Sequence, residues 1–277
     1  MNGYQTTSLG GFGVQAIPLR PVPLAELPVE PLRRLVHDHQ LVLLRGIPAG
    51  PGPDELTAFC ARWGQLAAWP FGFVLELREH PDPRDHVFDH GPVPLHWDGM
   101  YREQLPEFQI FHCVSAPGQD QGGRTTFAQT ATAWERADPP TRQRWARVSG
   151  RYHRATEHYD STTRSPLVVP HPTRGYPVIR YQEPADSCGT GFVNHPSLEF
   201  TGLPAEQLPA LHAGLRSALR APGNWYAHRW QTDDVVIADN HTLLHGREAF
   251  QSQAPRHLRR VHVLGDPPLD NPGLVRD

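Results

Sequence analysis

Thirty prolines and 24 glycines are scattered through 277 residues, with no stretch free of them for long. Proline removes a backbone donor and breaks helix interiors, and glycine weakens whatever regular element it interrupts. A fold of long helices is thereby excluded. Only three segments carry helical spacing. Leu24 to His39 repeats Leu27, Leu32, Leu35 and Val36; Asp54 to Trp63 opens with Asp54 placed as an N-cap after Pro53; Ala205 to Leu219 carries a stripe of Leu208, Leu211, Leu215 and Leu219. Pro209 has to lie in the first turn of the last one, and Pro222-Gly223 ends it.

Strand-like runs fill the intervals: Leu41 to Arg45, Phe108 to Val114, Pro177 to Tyr181, Asp234 to Ala238 and the alternating Arg256 to Leu264. Many short strands with a few helices predict a mainly β fold, a sandwich or barrel with added helices. No linker, repeat or charge run divides the chain, so residues 1–277 read as one domain.

Composition narrows the function. A net charge of −3 gives no footprint for nucleic acid, and no apolar run is long enough to span a membrane. The N-terminus lacks a signal peptide's basic start and apolar core, which predicts a cytoplasmic protein. All 26 basic residues are arginine. The absence of lysine rules out pyridoxal phosphate, Schiff-base and P-loop chemistry, each of which needs an ammonium at the reacting centre. Cys60, Cys113 and Cys188 stand far apart and in no ligand spacing, so they read as buried or idle thiols. Histidine, with 17 copies, is in excess, and imidazole is the commonest transition-metal ligand.

Three His-x-Asp triplets occur, at His80, His96 and His158. On an extended backbone both side chains of such a triplet project to one side and can occupy adjacent corners of a metal ion. The first is wrapped in prolines and the third precedes the polar Ser161 to Arg164, with no following apolar strand. Only His96-Trp97-Asp98 follows an apolar approach and leads into the Phe108 strand. Beyond the Asp234 to Ala238 strand, His241 and His245 offer a third ligand. A zinc pair built from both is disfavoured, because Thr242 replaces the glutamate that chemistry uses as its base. On the last strand Arg256, Leu258, Arg260, His262 and Leu264 share a face, and an inward guanidinium needs an anion to hold it.

His96-Trp97-Asp98, the distal His245, Arg256 eleven residues later, the Asp239-Asn240 turn and Gly122-Gly123-Arg124-Thr125 together resemble the Fe(II)/2-oxoglutarate dioxygenases of the taurine-dioxygenase (TauD/TfdA) family. The resemblance covers about Leu41 to Gly265. It implies a double-stranded β-helix (jelly roll), with iron on His96, Asp98 and His245, and 2-oxoglutarate held by Arg256 and Thr125. It also implies dioxygen and a small molecule as substrates. Asp98 stands where halogenating relatives have glycine or alanine, so hydroxylation or desaturation is implied. The segment before the motif lacks the asparagine of sulfonate recognition, which argues against taurine.

The stretches around Met100-Tyr101, Pro106 to Cys113 and His241 to Glu248 look like the natural-product branch of that family, whose members act on amino-acid-derived isonitriles such as tyrosine isonitrile. Tyr101, Arg102 and His112 are pocket candidates by proximity. Arg260 binds a substrate carboxylate, supports the co-substrate or pairs with a structural carboxylate. Trp69, Phe71, Phe73, Trp225 and Trp230 read as core aromatics, and Arg102, Arg151, Arg154 and Arg180 as surface or structural residues. The competing readings are an oxygenase of another small carboxylate or sulfonate, a metal-binding jelly-roll sensor without turnover, and a zinc hydrolase. The hydrolase has no carboxylate in motif spacing to act as base. The oligomeric state stays open.

Overall fold

The computed structural model describes residues 3–48, 50–185 and 194–276. Its larger sheet runs from Tyr4–Ser8 through Val14–Pro18, Leu41–Leu44, Val235–Asp239, Phe108–Ser115 and His257–Gly265 to Gln65–Leu66, and Leu75–Arg78 also pairs with His257–Gly265. A smaller sheet has the order Trp225–His228, Thr125–Gln129, Leu243–Arg247, Val93–His96.

The strands Leu41–Leu44 and Val235–Asp239 are almost wholly apolar because they are covered on both faces. The two-residue period then sorts side chains between two cores rather than between core and solvent. Phe108, Ile110, Val235, Ile237, Val261 and Val263 face the helices Val29–His39 and Pro53–Ala61. Their sequence neighbours Phe111, Val236 and Leu258 point the other way and meet Phe127 and Leu243 of the smaller sheet. On the smaller sheet's far side, Leu95, Ala128 and Leu244 pack with Leu211, Leu215 and Leu219 of the helix Leu208–Leu219. The result is the expected jelly roll, mainly β, with five α-helices among the described residues. None of these helices is long and apolar enough to cross a membrane.

Several expectations need correction. The first predicted helix is two elements, a 3-10 turn at Leu24–Glu26 and an α-helix at Val29–His39, because Leu27 is forced into the extended region ahead of Pro28. Asp54 is not an N-cap. Gly52 holds that place and Pro53 starts the helix, leaving the Asp54 charge within the first turn at the positive end of the dipole. Ala205–Gln207 is likewise a 3-10 turn before Leu208–Leu219.

Two short helices, Thr130–Arg136 and Pro139–Trp145, lie outside the three predicted segments. Pro139 and Pro140 look like breakers but occupy the first helical positions, and Asp138 caps them by accepting from Thr141 N at 2.7 Å. The polar Asp160–Pro166 is itself a strand and pairs with Ser149–Ala155. Cys60 and Cys113 are buried free thiols; Cys188 lies outside the described residues.

Ile237 is fully buried on the helix-facing side of the larger sheet, away from the space between the sheets. Ile237→Ala is expected to cost about 2–5 kcal/mol in urea denaturation, through lost burial and a residual cavity. Metal affinity should be unchanged.

Candidate functional site

Val93–His96 pairs with Leu243–Arg247 so that His96 stands opposite His245, with ring centroids 4.2 Å apart. The chain then turns at Gly99, whose φ of 88° and 2.4 Å clearance from Pro106 to any Cβ admit only glycine. That turn brings Asp98 back between the two rings. Asp98 Oδ1 lies 3.5 Å from His96 Nε2, and Oδ2 lies 3.6 Å from His245 Nε2. Among the described residues this is the one group of histidine, cysteine and carboxylate side chains whose donor atoms converge, all within 4.8 Å. Two imidazoles and one carboxylate, without a thiolate, suit a divalent first-row ion with open positions.

Each donor is aimed by a partner. Pro94 O, 2.9 Å from His96 Nδ1, accepts that proton and leaves Nε2 with its lone pair toward the centre. Oδ2 of Asp98 accepts from Arg260 Nη1 at 2.6 Å and His262 Nε2 at 2.8 Å, so Oδ1 is the oxygen left for an ion. Burial opposes the Asp98 charge, but Arg260 and the hydrogen bond from His262 outweigh it and hold the carboxyl well below its usual range. Burial, then the nearby His96, pushes His245 well below its usual value and keeps it neutral.

The backbone at Asp98 is clamped by a single side chain. Asn240 Oδ1 accepts from Asp98 N at 2.9 Å, while Nδ2 donates to Asp98 O at 3.0 Å and to Pro106 O at 2.8 Å. Gln109 Nε2 donates to the same Asn240 oxygen at 2.7 Å and lies 3.3 Å from His245 Nδ1. Asp239 fixes the turn that carries Asn240, accepting from His241 N, Thr242 N and Thr242 Oγ1. The Asp239-Asn240 pair was visible in the sequence as a turn. That its second side chain ties the two metal-facing arms together was not, because the partners are 142 residues apart.

Arg256 lies beside this centre. Its Nε donates to Gly123 O at 2.9 Å, its Nη2 to Thr125 Oγ1 at 3.4 Å, and its guanidinium sits 5.5 Å from the Phe250 ring centroid. Thr125 is itself held by Trp230 Nε1 at 2.9 Å. Gly123 is required here, since a Cβ would come within 2.8 Å of Arg256 Cδ. Among the described residues no carboxylate lies within ion-pair distance of Arg256, and burial pulls its pKa down to about 9. A buried guanidinium without a counter-ion is costly until an anion arrives, so Arg256 with Thr125 fits a co-substrate carboxylate. Arg247 is buried too, but it is fully used on the carbonyls of His86, Val87, Asp89 and Gly91, clamping the segment that enters Val93–His96.

These groups open into a cavity of about 1140 Å³. Thr125, Arg256, Arg260 and Tyr101 all line it, as the sequence suggested. Tyr101 stacks on Tyr159 at 5.8 Å and donates its hydroxyl to Gln182 Oε1 at 3.0 Å. Trp69, Phe71 and Phe73, expected in the core, line the cavity instead, and Phe71 is 50% exposed. Arg102 and Arg154 also line it, while Arg151 pairs with Glu199 at the surface and Arg180 donates to Asn240 O from full burial. His112 lies outside the cavity, 3.6 Å from Asp233. His241 and His245 cannot form a helical zinc pair, because Leu243–Arg247 is a strand; His241 packs instead on His171 and Arg180, and burial pushes it down to about 3.

Residues 5–262 match the model of the family described as Taurine catabolism dioxygenase TauD, TfdA family. The chain belongs to that family. It is 49% identical over 267 residues to a tyrosine isonitrile desaturase of Pseudomonas aeruginosa, covering 96% of this chain and 92% of that one. A 3-((Z)-2-isocyanoethenyl)-1H-indole synthase of Fischerella ambigua is 38% identical over 242 residues, covering 87% and 88%. A crystal structure of PvcB from Pseudomonas aeruginosa aligns with a TM-score of 0.86 at 45% identity, covering 99% of this chain and 96% of that one. A further PvcB structure, described as an Fe, alpha-ketoglutarate dependent oxygenase from an isonitrile synthetic pathway, gives 0.84 at 45% identity over the same 99% and 96%. As a member of this family the chain is an Fe(II)- and 2-oxoglutarate-dependent oxygenase taking dioxygen and a small molecule.

Removing the Asn240 carboxamide frees both the Asp98 backbone and the Gln109 side chain at His245. Asn240→Ala is expected to weaken anaerobic Fe(II) binding about 10–100-fold, the usual effect of losing a group that orients a metal ligand. Titration calorimetry measures it, and circular dichroism checks that the fold is retained.

Proposed function

We propose that this chain desaturates the side chain of an aromatic amino-acid-derived isonitrile, tyrosine isonitrile being the first compound to try. The observation that carries the reading is the aromatic-walled cavity opening onto the His96, Asp98 and His245 group. Its support in sequence is the 49% identity over 96% of the chain to a desaturase of that substrate. Fe(II) is assigned to His96, Asp98 and His245, and the distal carboxylate of 2-oxoglutarate to Arg256 with Thr125.

When bound, iron and 2-oxoglutarate supply dioxygen activation. One oxygen atom ends in succinate as carbon dioxide leaves, the other takes two substrate hydrogens as water, and a carbon–carbon double bond remains. The chain's own residues hold the geometry. Arg260 and His262 keep Asp98 ionised and turned, so Arg260 is assigned to the metal ligand rather than to the substrate. Tyr101 and Tyr159 form a wall whose phenols stay protonated, because burial raises both. We read residues 1–277 as one domain of a cytoplasmic enzyme with no nucleic-acid or membrane partner, supported by the net charge of −3 and the buried free thiols Cys60 and Cys113.

Incubation with tyrosine isonitrile, 2-oxoglutarate, Fe(II) and dioxygen should release succinate in step with a product two hydrogens lighter. Succinate coupled instead to oxidation of another small carboxylate or sulfonate would overturn the substrate; absence of any 2-oxoglutarate turnover would favour the sensor or zinc reading. Two variants test the assignments. The visible charge-transfer band of Fe(II) with 2-oxoglutarate should vanish in His245→Ala and persist in His241→Ala. Arg256→Lys should raise the apparent KM for 2-oxoglutarate about 10-fold or more, since an ammonium cannot reproduce the guanidinium fork.

A further inference from the structure

Six arginines besides the co-substrate anchor line the cavity, Arg78, Arg84, Arg102, Arg154, Arg247 and Arg260, and they are not equivalent. Arg260 is committed to Asp98, and Arg102 lies 4.6 Å over the Trp69 ring at the exposed end, donating to Ala68 O. Arg154 is different. It comes from the Ser149–Ala155 strand outside the two main sheets, its side chain is only 11% exposed, and it reaches the cavity beside Tyr101 and Tyr159. Its bonds are all made by one nitrogen. Nη2 contacts both Asp85 oxygens, at 2.6 and 2.5 Å, and lies 3.2 Å from His86 Nδ1. Nε is buried without a hydrogen-bond partner, and Nη1 has none among the described residues.

A guanidinium and carboxylate that were there only to stabilise each other would meet through two parallel bonds. Arg45 and Asp234 in this chain do so, through Nε and Nη2 at 2.7 Å each. The Arg154–Asp85 contact uses a single nitrogen instead, leaving donors for a second anion. Asp85 is divided as well: its Oδ1 also accepts from Val87 N at 3.0 Å, so the aspartate is spent on a backbone cap.

We infer that Arg154 is the anchor for a carboxylate on the organic substrate, with the Tyr101–Tyr159 stack beside it and the Trp69–Phe71 pair receiving the aromatic ring. Trp69 and Phe71 lie nearly parallel, 8° apart at 5.8 Å, with His158 tilted against both. The substrate class this selects is an aryl-bearing carboxylic acid, as an amino-acid-derived isonitrile would be. The inference rests on the oxygenase reading of the site and deepens its substrate side.

The test is a panel of arylpropanoic acids, with and without an α-isonitrile, each paired with its primary carboxamide. It is read as succinate release and product formation by the iron-loaded enzyme. Wild type should favour each accepted acid over its amide. Arg154→Gln should lower kcat/KM for the acid about 30-fold or more, the loss expected for a charge-assisted hydrogen bond, while the amide changes by less than about 3-fold. Arg154→Lys can still pair with Asp85 to hold the strand, yet should also lose the preference, which guards against a merely unfolded variant. The iron–2-oxoglutarate band should persist in both.

An acid-to-amide ratio unchanged from wild type in a folded Arg154→Lys enzyme would overturn the assignment, as would equal losses for acid and amide. If other aryl acids are oxidised in an Arg154-dependent way but no isonitrile is, the desaturase reading fails and this one stands. If the isonitrile acid is desaturated equally well without Arg154, the reverse holds. If no aryl acid stimulates succinate release, both fall.

Discussion

Asp98 is a carboxylate enclosed by protein, and the site depends on its staying ionised there. An unpaired buried carboxylate would take up a proton and stop being an anionic ligand. Arg260 and His262, two residues apart on one strand, prevent this by donating to the same oxygen. They can both reach it because the strand His257–Gly265 lies in the larger sheet while His96 and His245 come from the smaller one. The metal-facing carboxylate therefore exists only where two sheets are stacked, and the jelly roll is the arrangement that supplies both halves.

The same stacking explains how the chain tolerates so many inward arginines. Each is satisfied differently. Arg247 is saturated by carbonyls, Arg260 by Asp98, and Arg180 by the carbonyl of Asn240. Arg256 finds only a carbonyl and a hydroxyl, and Arg154 meets Asp85 through a single nitrogen. A residue whose charge is balanced inside the protein is architecture. Arg256 has no carboxylate partner among the described residues, Arg154 keeps an unbonded Nε beside its Asp85 pair, and both border the same cavity. That contrast, more than cavity size, is what supports the proposed load of two carboxylates, one from the co-substrate and one from the substrate.

Much of this was legible in the sequence, for a physical reason. Alternation along Arg256 to Leu264 put Arg260 and His262 on the inward face, and the structure keeps that parity. His96-x-Asp98 stands out among three triplets because an apolar strand approaches it. What the sequence hid was whatever depends on long-range pairing. Asn240, Gln109 and Asp98 meet across more than a hundred residues, so no local pattern reports their contact. Trp69 and Phe71 read as core because an aromatic residue in a sequence carries no sign of which side it faces. Pro139 and Pro140 read as breakers because their role as helix openers shows only once Asp138 is seen capping them.

The lack of lysine takes on a positive sense in this light. Codon preference is sufficient to explain the count, but the places where guanidinium is needed are set by geometry. A lysine at Arg260 could neutralise Asp98, yet its flexible ammonium would not fix which oxygen remains free. A lysine at Arg154 would be consumed by Asp85 alone. Arginine's planar set of donors can serve a protein group at one nitrogen and present another to a ligand. A chain that builds its ionic contacts only from arginine can thus hold its own framework and leave directed donors in the cavity with the same residue type.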